Sequence, residues 1–162
     1  LRASILQVRQ YNPELQLLLT ISPVRHIRDG VIENNRSKAR LIEAVHQLVA
    51  EGPRIYYFPA YELVIDVLRD YRFYDLDLVH PNFLATQYVL QQFSEHCFSA
   101  DTRSLMGQVQ ELVTARKHRP LQPHTQAHRQ FLQQQLQKTS ALQQAHSFLD
   151  FSEELAYFQS EG

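Results

Sequence analysis

Two short apolar runs separated by a helical pattern constrain the fold of this chain more than any other feature. "LQLLLTIS", residues 15–22, is almost continuously apolar, which is typical of a strand buried on both faces. "RIYYFPA", residues 54–60, is rich in aromatic and β-branched residues and predicts a second strand. A strand, a helix and a strand in this order predict a parallel sheet with a crossover helix, and therefore an α/β fold.

The helix between the two runs is expected to begin at Asn34 or Asn35, because Asn is a good N-cap. Apolar residues recur at helical spacing as far as Glu51, and Gly52 with Pro53 ends the pattern.

Two further helices are predicted after the second run. "AYELVIDVLRDY" indicates a short helix, and "FLATQYVLQQFSEHCF" indicates a longer one that Asn82 can cap. We expect Leu84, Tyr88 and Phe93 to lie near the inner face of the longer helix.

Two strands alone do not form a stable open sheet, so additional strands are expected. The chain begins with Leu1, and its only methionine is Met106. We therefore expect the sequence to be a fragment or a processed product, with the remaining strands upstream of Leu1.

The character of the sequence changes after Ala100. Helical patterns begin at Asp101, continue through a Gln-rich stretch at about 124–147, and end with "SEELAYF". We expect residues 1–100 to form the α/β part and residues 101–162 to form a helical extension, a hairpin of helices. The apolar stripe of this extension can pack on the same molecule or form a partner or dimer surface.

Composition excludes some classes of function. The net charge is −1, whereas a nucleic-acid-binding domain normally shows a basic face or stripe. No apolar run is long enough for a transmembrane helix. The single cysteine, Cys97, cannot form an internal disulfide, which fits a reducing compartment or a domain that needs no disulfide. The sequence leaves the compartment open and slightly favours the cytoplasm.

The stretch "YRFYDLDLVHPN" contains Asp77 three residues before His80. At this spacing the carboxylate can accept a hydrogen bond from the imidazole Nδ1–H and leave Nε2 free to take a proton from a nucleophile. The pair follows the second strand's helix, and loops near strand carboxyl ends carry the active sites of open α/β folds. A catalytic pair and a surface capping pair are both open interpretations.

The loop "SPVRHIRDG" also leaves the carboxyl end of a predicted strand. Its polar residues could face the same crevice or be solvated charges of a turn-rich loop; they are Ser22, Arg25, His26 and Asp29. Ser22 lacks the flanking glycine of a sharp nucleophile turn, so we do not expect it to act as a nucleophile.

Three histidines, His118, His124 and His128, invite a metal hypothesis, because two of them lie four residues apart. No Glu or Cys stands at ligand spacing, so we expect no zinc site. The chain also lacks a Gly-rich phosphate loop.

Four stretches together resemble the GSCFA family, a group within the SGNH-hydrolase-like superfamily. They are "LLLTISPVRHIRDG", "ENNRSKARL", "YYFPAYELVIDVLRDYRFY" and "DLDLVHPN", which occur in the family's order over residues 15 to about 93. The helical tail resembles the family's C-terminal region more loosely. The resemblance implies the C-terminal part of a three-layer α/β/α fold with a parallel sheet, followed by a helical appendage.

The resemblance also implies a chemistry, which is ester hydrolysis by a serine nucleophile. An Asp-x-x-His near the end of such domains supplies the base and its orienting carboxylate, and this motif falls on Asp77 and His80. The Gly-Ser-Cys-Phe-Ala motif that holds the expected nucleophile does not occur in this sequence. We therefore expect the nucleophile to lie upstream of Leu1 and this chain alone to be inactive.

Such a hydrolase would act on a small-molecule or carbohydrate ester, while lipids and thioesters also remain open, and it would need no cofactor. The alternative hypothesis is a non-catalytic protein-interaction module that uses residues 101–162, through which the chain could also form a homo-oligomer.

Overall fold

The structure, a computed structural model, describes residues 1–120 and 124–160. The chain divides into two compact units, Leu1–Cys97 and Phe98–Gly162. The first unit is α/β, and the described part of the second is built from three helices.

The first half of the α/β unit is a parallel β–α–β arrangement. Helix α1, Arg2–Tyr11, precedes strand β1, Leu17–Thr20. Helix α2, Gly30–Glu51, crosses over to strand β2, Ile55–Phe58. The strands are parallel, with Leu17 opposite Ile55, which confirms the α/β class and the parallel pairing predicted from the two apolar runs.

The second half of this unit is less regular. Helix α3, Ala60–Glu62, continues as a π-helical segment, Leu63–Leu68, and a 3-10 turn follows at Tyr71–Phe73. Helix α4, Phe83–Cys97, ends the unit.

Helix α2 begins earlier than the sequence predicted. The predicted N-cap at Asn34 or Asn35 is wrong, because the helix already starts at Gly30, after Asp29. Gly30 adopts φ +85°, and this conformation lets the loop turn directly into the helix. The Asn34 side chain is consequently buried in the second turn and is used for another contact.

The two faces of the sheet are covered unequally. Helix α2 covers one face, where His46 meets the ring of Tyr57 at 5.0 Å between centroids. On the other face, Phe93 of α4 packs edge-on against Phe58, also at 5.0 Å. Leu18 on that second face is 44% exposed, so the expectation of a strand buried on both faces is wrong for the described residues.

The start of α4 was predicted correctly, but part of its inner face was not. The Asn82 Oδ1 accepts hydrogen bonds from the backbone N–H groups of Leu84 and Ala85, which confirms the predicted cap. Ala85 is fully buried, whereas Leu84 is largely exposed. Because the Ala85 side chain is only a methyl group, α4 can approach the π-helical segment closely. The first turn of α4 places Leu84 towards solvent.

The helical unit has its own core. Helices α5, Ala100–Lys117, α6, Gln126–Ala145, and α7, Ser152–Ser160, pack together. Ser99 caps α5, which begins at Ala100, one residue before the predicted start at Asp101. The core consists of buried and half-buried apolar side chains from α5, α6 and the loop before α7: Leu105, Val109, Leu112, Leu142, Leu149 and Phe151.

The buried aromatic residue of α7 should be a main determinant of the stability of this unit. Phe158 is 1% exposed, and Phe158→Ala should lower the free energy of unfolding by about 3–5 kcal/mol, because it removes a fully buried ring. Phe148 is 77% exposed, so Phe148→Ala is the matched control and should change it by about 0.5 kcal/mol or less. Urea titration followed by circular dichroism measures both, and equal losses would contradict the packing described for α7.

Candidate functional site

The structure joins Asp77 and His80 directly. The Oδ2 atom of Asp77 lies 2.7 Å from Nδ1 of His80. Because an ionised carboxylate only accepts hydrogen bonds, Nδ1 must be the donor. The other ring nitrogen, Nε2, has no hydrogen-bond partner among the described residues. Both side chains are more than 40% exposed, so the pair is accessible to a reactant.

The second oxygen of the same carboxylate orders the backbone of the loop. The Oδ1 atom of Asp77 accepts hydrogen bonds from the backbone N–H groups of Val79 at 2.8 Å and His80 at 3.0 Å. The imidazole hydrogen bond, followed by these two backbone bonds, lowers the pKa of Asp77 to about 2. The carboxylate therefore remains ionised at all physiological pH values.

The segment between Asp75 and His80 is a closed loop. The Asp75 N–H donates to the His80 carbonyl at 2.8 Å, and the Leu78 N–H donates to the Asp75 carbonyl at 2.9 Å. An isolated antiparallel bridge between Tyr74 and Pro81 closes its base. Leu78 has φ +57°, a left-handed conformation that costs a non-glycine residue about 1–2 kcal/mol. We call residues 75–80 the Asp-His loop.

The loop that follows β1, residues 21–29, contacts the Asp-His loop through Arg25. We call it the β1 loop. The Nη1 of Arg25 donates to the Leu78 carbonyl at 2.9 Å, and the Arg25 backbone N–H donates to the Val79 carbonyl at 3.3 Å. The guanidinium also lies over the ring of Tyr74, 4.5 Å from its centroid.

Helix α2 anchors this β1 loop from the other side. The Nζ of Lys38 donates to the Ser22 carbonyl at 2.5 Å, and the Asn34 Oδ1 accepts from the His26 backbone N–H at 2.8 Å. Both anchoring side chains are 9% exposed. Burial lowers the pKa of Lys38, and the Ser22 carbonyl supplies the polar partner that a buried ammonium needs.

An apolar groove of about 760 Å³ opens beside His80. Its walls come from the sheet face with Leu18 and Phe58, from Pro23 and Val24 of the β1 loop, and from α4. The groove therefore brings one end of the β1 loop and the imidazole of His80 to a common surface.

The other candidates from the β1 loop do not join the Asp77–His80 pair by hydrogen bonds in the part of the chain that is described. The Ser22 Oγ accepts from the Val24 N–H at 3.2 Å and so serves the turn. His26 and Asp29 form a second His–Asp pair, but with 3.4 Å between Nδ1 and Oδ2 it is looser than the first.

The described residues contain no cluster of three His, Cys, Asp or Glu side chains that could hold a metal ion. His118 and His128 each contact the ring of Phe131, and His124 is exposed. Among the helices described, none is both long enough and apolar enough to cross a membrane.

Sequence reasoning missed the supporting contacts of the site. Arg25 was only one of several loop charges, Asn34 was predicted as an N-cap, and Lys38 was assigned no role. The one available signal was the position of Lys38 two turns into a helix, on the same face as the apolar residues Ile42 and Val45.

The shared carboxylate generates a pH prediction. Since folding lowers the pKa of Asp77 from 3.8 to about 2, its hydrogen bonds stabilise the folded loop above pH 3.8, and this contribution is lost as the pH falls towards 2. His80→Ala removes the largest cause and should raise the pKa, while the two backbone bonds keep it below 3.8. Carbon-13 NMR titration of the Asp77 carboxyl measures this. The hydrogen bond described here is wrong if His80→Ala leaves the midpoint unchanged.

Comparison with known families matches the two compact units of the chain with two separate family models. The sequence model of the GSCFA family matches residues 1–93, and that of the GSCFA domain protein C-terminal domain matches residues 109–161. Comparison with curated proteins and with solved structures gave no match. Because the first family match alone spans more than half of the sequence, this chain belongs to the GSCFA family.

Proposed function

We propose that this chain supplies the general base and its orienting carboxylate to a serine ester hydrolase. The observation that carries the proposal is the 2.7 Å hydrogen bond between Asp77 Oδ2 and His80 Nδ1, with the exposed His80 side chain lining an apolar groove. The hydrogen bond selects the tautomer in which Nε2 is unprotonated, which is the form that accepts a proton from a hydroxyl.

In the proposed reaction, Nε2 of His80 takes the proton of a serine hydroxyl while the serine oxygen attacks the ester carbonyl carbon. The tetrahedral intermediate then collapses, and His80 returns the proton to the departing alcohol. Water then attacks the acyl-serine carbonyl carbon while Nε2 of His80 takes its proton. His80 returns that proton to the serine oxygen as the acid product departs. Asp77 remains ionised throughout and stabilises the imidazolium that forms in each half.

We propose that the serine comes from polypeptide outside these 162 residues. The sequence contains no Gly-Ser-Cys-Phe-Ala stretch, and Ser22 is committed to its own turn. We therefore propose that the 162-residue chain alone does not turn over esters. The substrate class is a small-molecule or carbohydrate ester.

The fold we propose for the complete hydrolase is a three-layer α/β/α sandwich with a parallel sheet. Helix α2 on one face and α4 on the other support this layering. Among the described residues, β1 pairs along one edge only, with β2. An unpaired edge is where further strands of a larger sheet would be added.

Activity of the complete protein tests the role of His80. We expect the product that includes the Gly-Ser-Cys-Phe-Ala segment to react with a serine-directed phosphonate. His80→Ala should then lower ester turnover by roughly 10⁴-fold or more, because members of a triad act as a unit. His124→Ala, an exposed histidine of the helical unit, is the matched control and should retain turnover. Retained activity in His80→Ala would exclude the proposed base.

The second candidate function is a protein-interaction module formed by residues 101–162. It is favoured by the separate apolar core of the helical unit and by the Gln-rich surface of α6, which carries few charges to oppose association. The two functions are compatible, because a hydrolase can carry a docking unit.

Oligomeric state tests this second candidate. If the extension mediates self-association, light scattering should give a dimer or larger species for the whole chain and a monomer after deletion of residues 101–162. A whole chain that is monomeric at all concentrations would count against self-association through this unit.

A further inference from the structure

We propose that Arg25 is a positioning residue that holds the backbone of the Asp-His loop in the conformation joining Asp77 to His80. The inference rests on the proposed function only in treating that pair as catalytic, since the geometric claim can be tested without any reaction. Arg25 touches neither side chain of the pair, so it acts through the residues between them.

The Asp-His loop needs external support. Leu78, at the centre of the loop, adopts a left-handed φ of +57° that a leucine disfavours. Its side chain is 49% exposed and therefore contributes little packing to hold this conformation. The neighbouring Val79 is buried and anchors one side. The Leu78 carbonyl, which determines the orientation of the peptide before Val79, is left to a partner outside the loop.

Arg25 is that partner, and it uses three kinds of contact. Its Nη1 donates to the Leu78 carbonyl at 2.9 Å, and its backbone N–H donates to the Val79 carbonyl at 3.3 Å. The Cζ atom of its guanidinium also lies 4.5 Å from the ring centroid of Tyr74 and 5.5 Å from that of Tyr71. A planar guanidinium can donate in its plane while its face rests on an aromatic ring, which an ammonium group cannot do.

The support continues into rigid structure on the other side of Arg25. The backbone at Ser22 is held by Lys38, and the backbone at His26 is held by Asn34. Both anchors belong to α2, a helix of 22 residues. The backbone on both sides of Arg25 is therefore fixed to one helix. Arg25 in turn fixes the two carbonyls that precede His80.

The pKa of Asp77 reports this geometry, because it depends on hydrogen bonds from His80 and Val79 and not on Arg25. Arg25→Gln should loosen the loop and raise that pKa by about one unit in a carbon-13 NMR titration of the 162-residue chain. Amide exchange at Val79 and His80 should accelerate by about tenfold or more.

Arg28→Gln is the matched control. It removes the same charge from the same loop at an exposed position, and salt screening should limit its effect on the Asp77 pKa to about 0.3 unit or less. Arg25→Lys keeps the charge but loses the planar fork, so we expect a pKa between those of the wild type and Arg25→Gln. If Arg25→Gln and Arg28→Gln give the same pKa and the same exchange rates, Arg25 does not position the loop.

A second variant, at an exposed position, keeps the proposal testable if Arg25→Gln does not fold. Tyr71 is 64% exposed, and Tyr71→Leu removes one ring contact of the guanidinium without opening the core. It should raise the Asp77 pKa above that of Arg28→Gln, and an unchanged pKa would overturn the proposal. The NMR result is independent of catalysis. Retained turnover in His80→Ala would contradict the proposed function, whereas an unchanged Asp77 pKa in Arg25→Gln would contradict only the positioning role.

Discussion

The parallel pairing of β1 with β2 is the constraint on which the candidate site depends. Parallel strands end at the same edge of a sheet, so the loop after β1 and the chain that leaves β2 emerge side by side. An antiparallel pair would send these two segments to opposite ends. The contact between Arg25 and Leu78, which are 53 residues apart in sequence, is possible only because the pairing is parallel.

The carboxylate of Asp77 connects this scaffold to chemistry. One oxygen orders two backbone amides, and the other orients an imidazole, so a single ionised group fixes both the loop and the tautomer of His80. A low pKa of Asp77 is a consequence of this arrangement, since every hydrogen bond stabilises the charged form. Because the pair is exposed, the precision of its geometry must come from the backbone beneath it and not from burial.

Helix α2 serves the site in a way that its amphipathic pattern alone would not indicate. Most of its inner face is apolar and covers the sheet, but its first three turns place Asn34 and Lys38 under the β1 loop. Burying an ammonium group is costly, and a carbonyl acceptor offsets part of that cost. The β1 loop therefore begins at the end of β1 and is held in place by two side chains of α2.

The sequence predicted those features that depend on neighbours in the chain. The two apolar runs identified the strands, although their observed lengths are shorter, and Asn82 was identified as a cap because it bonds residues two and three positions ahead. The start of α2 was misplaced because Gly30, with its positive φ, turns the chain into the helix four residues before Asn34, the first N-cap that was predicted. The inner face of α4 was mistaken at Leu84 because helical spacing does not say which of two adjacent residues faces the sheet.

The sequence by itself determined the Asp77–His80 pair, since a spacing of three residues brings the two side chains within reach through local geometry alone. Only the tertiary structure decided what supports that pair. Arg25, Asn34 and Lys38 reach their partners across 53, 8 and 16 residues, respectively, and these distances are closed by the pairing of two strands and the crossover of a helix. Local chemistry is encoded in short patterns, whereas the rigidity that makes it useful arises from contacts that no short pattern contains.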